Sequence, residues 1–157
     1  MATADNSLSQ YDHFKVPDGK NFRIGLVVSE WNPKITEALF QGAKATLTHH
    51  NVSPENIIRI DVPGSFELIY GASRAQQMDL DAIIVIGCVI KGETRHFEFI
   101  SNAVAHGIKD LNLNGKAPVI FCMLTDDTID QSKARSGGDK GNKGVEAAVA
   151  ALRMISL

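Results

Sequence analysis

The residue types most suited to chemistry gather in residues 82–99, where Ala-Ile-Ile-Val-Ile-Gly-Cys-Val-Ile is followed by Lys-Gly-Glu-Thr-Arg-His-Phe-Glu-Phe. An Ile/Val run without polar alternation fits a strand covered on both faces. The glycine-punctuated loop then delivers Thr94 and His96 to the start of a helix. Free backbone N–H groups and the helix dipole favour an anion at such a point. An imidazole moves protons in either direction near neutral pH. His96 beside an anion site therefore suggests an enzyme acting on a phosphorylated metabolite. The competing readings are an ordinary helix cap for Thr94 and a locally hydrogen-bonded, packed histidine for His96.

Other candidates fall at neighbouring positions of the pattern. Arg135 can grip phosphate oxygens through a bidentate guanidinium, or serve as a solvated charge compensating a helix end. Trp31, the single tryptophan, falls in a loop rather than on a core stripe; it would stack on a planar heterocycle or form a partly buried lid. Ser65 and Glu67 flank Phe66 in a glycine-opened turn and offer hydrogen bonds to a polyol or an amine, or Glu67 simply favours a helix N-terminus. Residues 137–144 (GGDKGNKG) fail as a phosphate-binding P-loop. Lys143 is preceded by Asn142 and followed by glycine, and the segment follows a helix rather than a strand. They remain a basic turn able to present Lys143 or Lys140. Cys88 has no cationic neighbour in sequence to activate it as a nucleophile. His13, His49, His50 and His106 are weaker proton-transfer candidates than His96.

The elements that must position these groups alternate regularly. Strand patterns cover residues 22–28, 56–62, 82–87 and 118–124. Helical patterns begin at Asn32-Pro33, where an N-cap side chain precedes proline at the first helical position, and cover residues 66–77, the stretch after His96, 127–135, and the stretch from Val145. Strict β–α alternation predicts a three-layer α/β/α sandwich around a four-stranded parallel sheet with right-handed crossovers, preceded by an N-terminal arm. Residues 1–21 form the arm, disordered or tied down by another subunit, and 22–157 a single domain. Ligands in such sheets bind beyond the carboxyl ends of the strands, and the candidate residues cluster at those exits. A chain of 157 residues suits one domain. A net charge of −2 gives no general field for nucleic acid or anionic lipid. No signal-peptide pattern and no run long enough to span a bilayer are visible, and both cysteines lie in apolar segments, so a cytoplasmic protein is expected.

Taken together, residues 24–36 (IGLVVSEWNPKIT), 62–68 (VPGSFEL), 86–99 (IGCVIKGETRHFEF), 118–125 (PVIFCMLT) and 131–148 (QSKARSGGDKGNKGVEAA) resemble the lumazine synthase family of riboflavin biosynthesis. The match covers nearly everything after the arm and implies a flavodoxin-like fold. It implies condensation of 5-amino-6-(D-ribitylamino)uracil with 3,4-dihydroxy-2-butanone 4-phosphate, with no metal and no organic cofactor in the reaction. It also implies a homo-oligomer, a pentamer extending in some members to a decamer or 60-subunit shell, with active sites between subunits and riboflavin synthase as a candidate partner. By the same resemblance, Trp31 stacks on the pyrimidinedione, and Asn32, Ser65, Phe66 and Glu67 surround the ribityl chain and reacting amine. Val89 and Ile90 supply backbone contacts. Glu93 through its backbone, Thr94 and Arg135 form the phosphate site, His96 is the general acid/base, Lys143 contacts ligand, and Phe121 comes from the neighbouring subunit.

Ile69, Asp139 and Cys122 depart from the family pattern, where proline, a basic residue and glycine are usual. Three rivals stand against the resemblance. A riboflavin synthase on a similar scaffold has no phosphate substrate, which Thr94 and Arg135 argue against. A flavodoxin-like signalling or binding module needs clustered aspartates or a Ser/Thr-rich phosphate loop after the first strand, and Ser29-Glu30-Trp31 supplies neither. An inactive shell protein has no reason to retain Trp31, His96 and Arg135.

Overall fold

Four apolar runs pair side by side as a parallel sheet in the computed structural model, which describes residues 7–157. They are β1 (Ile24–Ser29), β2 (Ile57–Val62), β3 (Ala82–Ile90) and β4 (Val119–Asp126), in the order β2-β1-β3-β4. The connecting helices are α1 (Pro33–His49), α2 (Leu68–Ala75), α3 (His96–Asn114) and α4 (Ile129–Arg135), and α5 (Lys143–Ile155) closes the chain. The strand order reverses between β1 and β3, and the crevice beyond that point is where open α/β sheets bind ligands.

Period-2 alternation along the strands divides the core into two apolar layers. Leu26, Val28, Ile84 and Ile86 face Leu39 and Leu47 of α1 and Ala148 and Leu152 of α5. Val27, Ile83 and Val85 face Leu68 and Ala72 of α2 and Val104 and Ile108 of α3. Full burial of a side chain such as Leu39 or Leu152 is worth about 1.5–3 kcal/mol. The expected three-layer α/β/α arrangement around four parallel strands is the one observed.

Three local expectations differ from the structure. β3 runs on to Ile90 instead of ending at Gly87, because β4 continues to pair with it as far as Ile90↔Asp126. Residues 65–67 form a turn, and α2 starts only at Leu68. Asn32 does not cap α1 with its side chain: its backbone is left-handed (φ 59°, ψ 53°), a conformation asparagine tolerates, and its amide is engaged elsewhere.

The arm's first six residues lie outside the described residues. From Ser7 onward the segment is held by its own chain. Leu8 is buried and donates its N–H to Lys140 O at 2.9 Å, Ser9 Oγ accepts from Asn142 N at 3.0 Å, and Gly19 N–H donates to His50 O at 2.7 Å. The glycine-rich segment forms a small antiparallel hairpin, β5 (Ser136–Gly138) and β6 (Gly141–Asn142), with Gly137 and Gly141 at positive φ.

Candidate active site

The exits of β1, β2 and β3 and the first turns of α3 enclose a cleft of about 560 Å³. Trp31 and Asn32 come from the β1 exit, Ser65, Phe66 and Glu67 from the turn after β2, Val89 and Ile90 from the end of β3, and His96 opens α3. Eight of the residues expected from the sequence thus share one wall system. Gly64, Cys88 and Ile100 line it as well: Gly64 opens the turn that carries Ser65, and Cys88 and Ile100 enter because their neighbours on β3 and α3 do.

Local structure explains how the walls are held. Asn32 Nδ2 donates to Cys88 O at 3.1 Å and so ties the β1 exit to the β3 exit across the switch point. Trp31 N–H donates to Ser29 Oγ at 3.2 Å, while its ring stands 70% exposed over the opening. Gly87 leaves room beneath the turn: a Cβ there would lie 2.8 Å from Leu68 Cδ1 and 3.0 Å from Ser65 Oγ. That close approach buries Ser65. Its hydroxyl has no hydrogen-bond partner among the described residues. A buried hydroxyl left in that state costs free energy, so its place in the wall points to a ligand oxygen or nitrogen.

At the start of α3, Thr94 Oγ1 accepts from His96 N–H at 3.4 Å, and no side chain caps the helix from the Arg95 position. Glu98 and Phe99 N–H donate to Arg95 O at 3.0 and 3.2 Å, so Phe97 N–H is the first-turn donor left to face an anion among the described residues, with the helix dipole behind it. Glu93 and Thr94 are exposed on this loop and line no hollow with Arg135.

Arg135 and Lys143 lie elsewhere. They line a second, smaller hollow of about 160 Å³ beside the end of β4, together with Asp126 and Leu8. α4 aims the arginine there. Thr128 and Gln131 form a reciprocal capping box, Arg135 Nη1 donates to Gln131 O at 3.2 Å, and Nε lies 3.9 Å from Asp126 Oδ1. Asp126 in turn accepts from Ser132 Oγ at 2.8 Å. Lys143 Nζ pairs with Glu146 at 3.0 Å. Phe121, on β4 facing the α2 and α3 layer, lines neither hollow. The convergence of Thr94 with Arg135 expected from successive strand exits is therefore not made within one chain, because α4 turns Arg135 over β4 rather than toward the α3 start. Nothing in sequence marks Asp126 and Ser132 as supports of the arginine; only the fold brings them together.

Both thiols are poor nucleophiles. Burial raises the pKa of Cys88 despite its contact with Ser132, and pushes Cys122 up to about 12. Among the departures from the family pattern, Ile69 fills the space over Gly107 of α3, Cys122 sits in the core against the α1 and α5 layer, and Asp139 lies exposed in the β5–β6 turn. No helix of the described residues is long and apolar enough to cross a membrane.

Comparison with known proteins shows what the chain as a whole is similar to. The family model for 6,7-dimethyl-8-ribityllumazine synthase matches residues 21–157. The chain is 58% identical to the 6,7-dimethyl-8-ribityllumazine synthase of Christiangramia forsetii, across all of this chain (100%) and 95% of that protein. The enzyme of the same name from Flavobacterium johnsoniae is 56% identical, covering 98% of this chain and 82% of its own. That from Parabacteroides distasonis is 53% identical, covering 99% and 98%.

Proposed function

Because the chain belongs to the 6,7-dimethyl-8-ribityllumazine synthase family, we propose that the cleft beyond β1, β2 and β3 is where it carries out that family's reaction. The reaction condenses 5-amino-6-(D-ribitylamino)uracil with 3,4-dihydroxy-2-butanone 4-phosphate, releasing phosphate and water, within riboflavin biosynthesis. The single observation that carries the assignment is the shared cleft: an exposed indole, a buried hydroxyl without a partner among the described residues, a carboxylate and an imidazole around one volume.

Trp31 stacks on the pyrimidinedione. Asn32, Ser65, Phe66 and Glu67 hold the ribityl chain and the reacting amine, and Val89 and Ile90 present backbone groups to the ring. Amine attack on the ketone and loss of water require protons to move, which is the task of His96. Departure of phosphate requires a site for the anion. The α3 N-terminus with Glu93 and Thr94 supplies one side of it and Arg135 the other. Much of the acceleration comes from holding two reactants in a productive orientation.

Arg135, Lys143 and Phe121 complete the cleft of an adjacent subunit rather than their own. The support for this is their position outside the cleft of the chain that carries them, together with exposed large apolar side chains: Trp31 and Phe66 in the cleft wall, Tyr70 on α2 and Phe99 on α3. The assembly is a pentamer, stopping there or extending to a decamer or 60-subunit shell, working in the cytoplasm with riboflavin synthase taking its product. Mixing purified protein with both substrates and following formation of the fluorescent lumazine tests the reaction. Light scattering on the same sample tests the assembly, and a monomeric, fully active protein would overturn the shared-site reading.

A further inference from the structure

Away from the cleft, the N-terminal segment crosses the C-terminal end of α1 and brings three imidazoles together. His13 lies in a short 3-10 turn (His13–Lys15), His49 is the last residue of α1, and His50 is its cap. One ring nitrogen of each lies within 4.8 Å of the others. The ring centroids are 5.4 Å apart for His13 and His49, 6.0 Å for His13 and His50, and 5.2 Å for His49 and His50. None of the three lines the cleft. We propose that His13, His49 and His50 bind one Zn²⁺ ion, which clips the N-terminal segment to the end of α1.

Zn–N bonds of about 2.0–2.1 Å in a tetrahedral site place ligand nitrogens roughly 3.4 Å apart. Two of the rings, those of His13 and His49, are exposed and free to rotate the remaining distance. His50 is the fixed point. It is buried, its carbonyl accepts from Gly19 N–H at 2.7 Å, and its Nε2 lies 3.2 Å from the Tyr11 hydroxyl. When His50 coordinates through Nδ1, the Tyr11 oxygen accepts the Nε2–H, the usual support for a metal-bound histidine.

The donor set selects the ion. Three imidazoles with no carboxylate among them favour Zn²⁺ and its transition-metal neighbours over Mg²⁺ or Ca²⁺. The partial negative charge at the end of a 17-residue helix adds a favourable field for a cation. Three protein ligands leave the fourth position to water. The ion acts on the arm and takes no part in the condensation.

The test uses the full-length protein, stripped with a chelator, dialysed into metal-free buffer and titrated with ZnCl₂ by calorimetry. One Zn²⁺ per chain is expected. His13→Ala and His49→Ala each weaken binding by ~10-fold or more, while His106→Ala, exposed on α3 and outside the cluster, leaves it unchanged. Hydrogen exchange of residues 7–21 slows on adding Zn²⁺ to the parent protein and not to His13→Ala. Absence of saturable uptake, uptake indifferent to His13→Ala, or one ion per two chains would each overturn the proposal. Lumazine formation by His13→Ala, expected to be unchanged, keeps this outcome separate from that of the catalytic reading.

Discussion

Replacing Ser65 by alanine moves stability and activity in opposite directions. Its hydroxyl is buried in the cleft wall without a partner among the described residues. Such a group costs the folded state about 1–3 kcal/mol in lost hydration. Ser65→Ala removes that cost and leaves a void of one oxygen atom, worth only a few tenths of a kcal/mol. The net expectation is a stabilisation of about 1 kcal/mol. With a urea slope of about 1–3 kcal/mol/M, the midpoint rises by roughly 0.5 M. The same oxygen is the one the substrate needs: loss of its hydrogen bond, about 1–1.5 kcal/mol, lowers kcat/KM by roughly 5–10-fold. Urea unfolding at fixed subunit concentration and the fluorescence of lumazine formation measure the two effects. Ser101 Oγ on α3 is also buried and unpartnered but lies outside the cleft, so Ser101→Ala is the control, stabilising with activity intact. A Ser65→Ala protein that is less stable than the parent and fully active would refute the argument, because the hydroxyl would then be satisfied by the fold.

Three further outcomes follow from the geometry. Arg135→Ala raises KM for the butanone phosphate about 10-fold or more with a smaller change in kcat, whereas His96→Ala lowers kcat with less effect on KM, by steady-state kinetics with each substrate varied. An unchanged KM for the phosphate substrate would remove Arg135 from the site. Asn32→Ala loses the Cys88 O bond and also forces a Cβ-bearing residue without asparagine's local hydrogen bonding into left-handed backbone, at about 2–3 kcal/mol in a denaturation curve, and Asn32→Gly costs less. Equal losses would mean that the backbone conformation contributes nothing. Cys88 and Cys122 stay unmodified by iodoacetamide in the native protein at pH 8 and both react in denaturant, as mass spectrometry would show, because burial keeps each thiol protonated.

Much of this molecule was legible in its residues for a definite reason. Apolar runs at residues 82–87 and 118–124 and helical stripes such as Ile35, Leu39, Ala43 and Leu47 carry their partner's geometry in their own period, so element type and layer order could be read locally. Strand exits then identified Trp31, Ser65, Glu67 and His96 as neighbours, since a parallel sheet aligns every exit on one edge. Element ends were less legible. β3 outran its pattern because pairing with β4, not local propensity, sets where it stops, and Asn32 abandoned its capping role for a bond to a strand 56 residues away.

Sequence alone determined the kinds of groups available and the edge on which they collect, because periodicity and strand order are short-range properties. Tertiary structure decided the rest: that Arg135, held over β4 by α4, Asp126 and the Gln131 carbonyl, does not enter the cleft of its own chain, that Ser65 is pressed against Gly87 with its hydroxyl unpaired among the described residues, and that His13 meets His49 and His50. Those are distances between segments far apart in the chain, and they depend on how the layers pack rather than on any pattern within one segment.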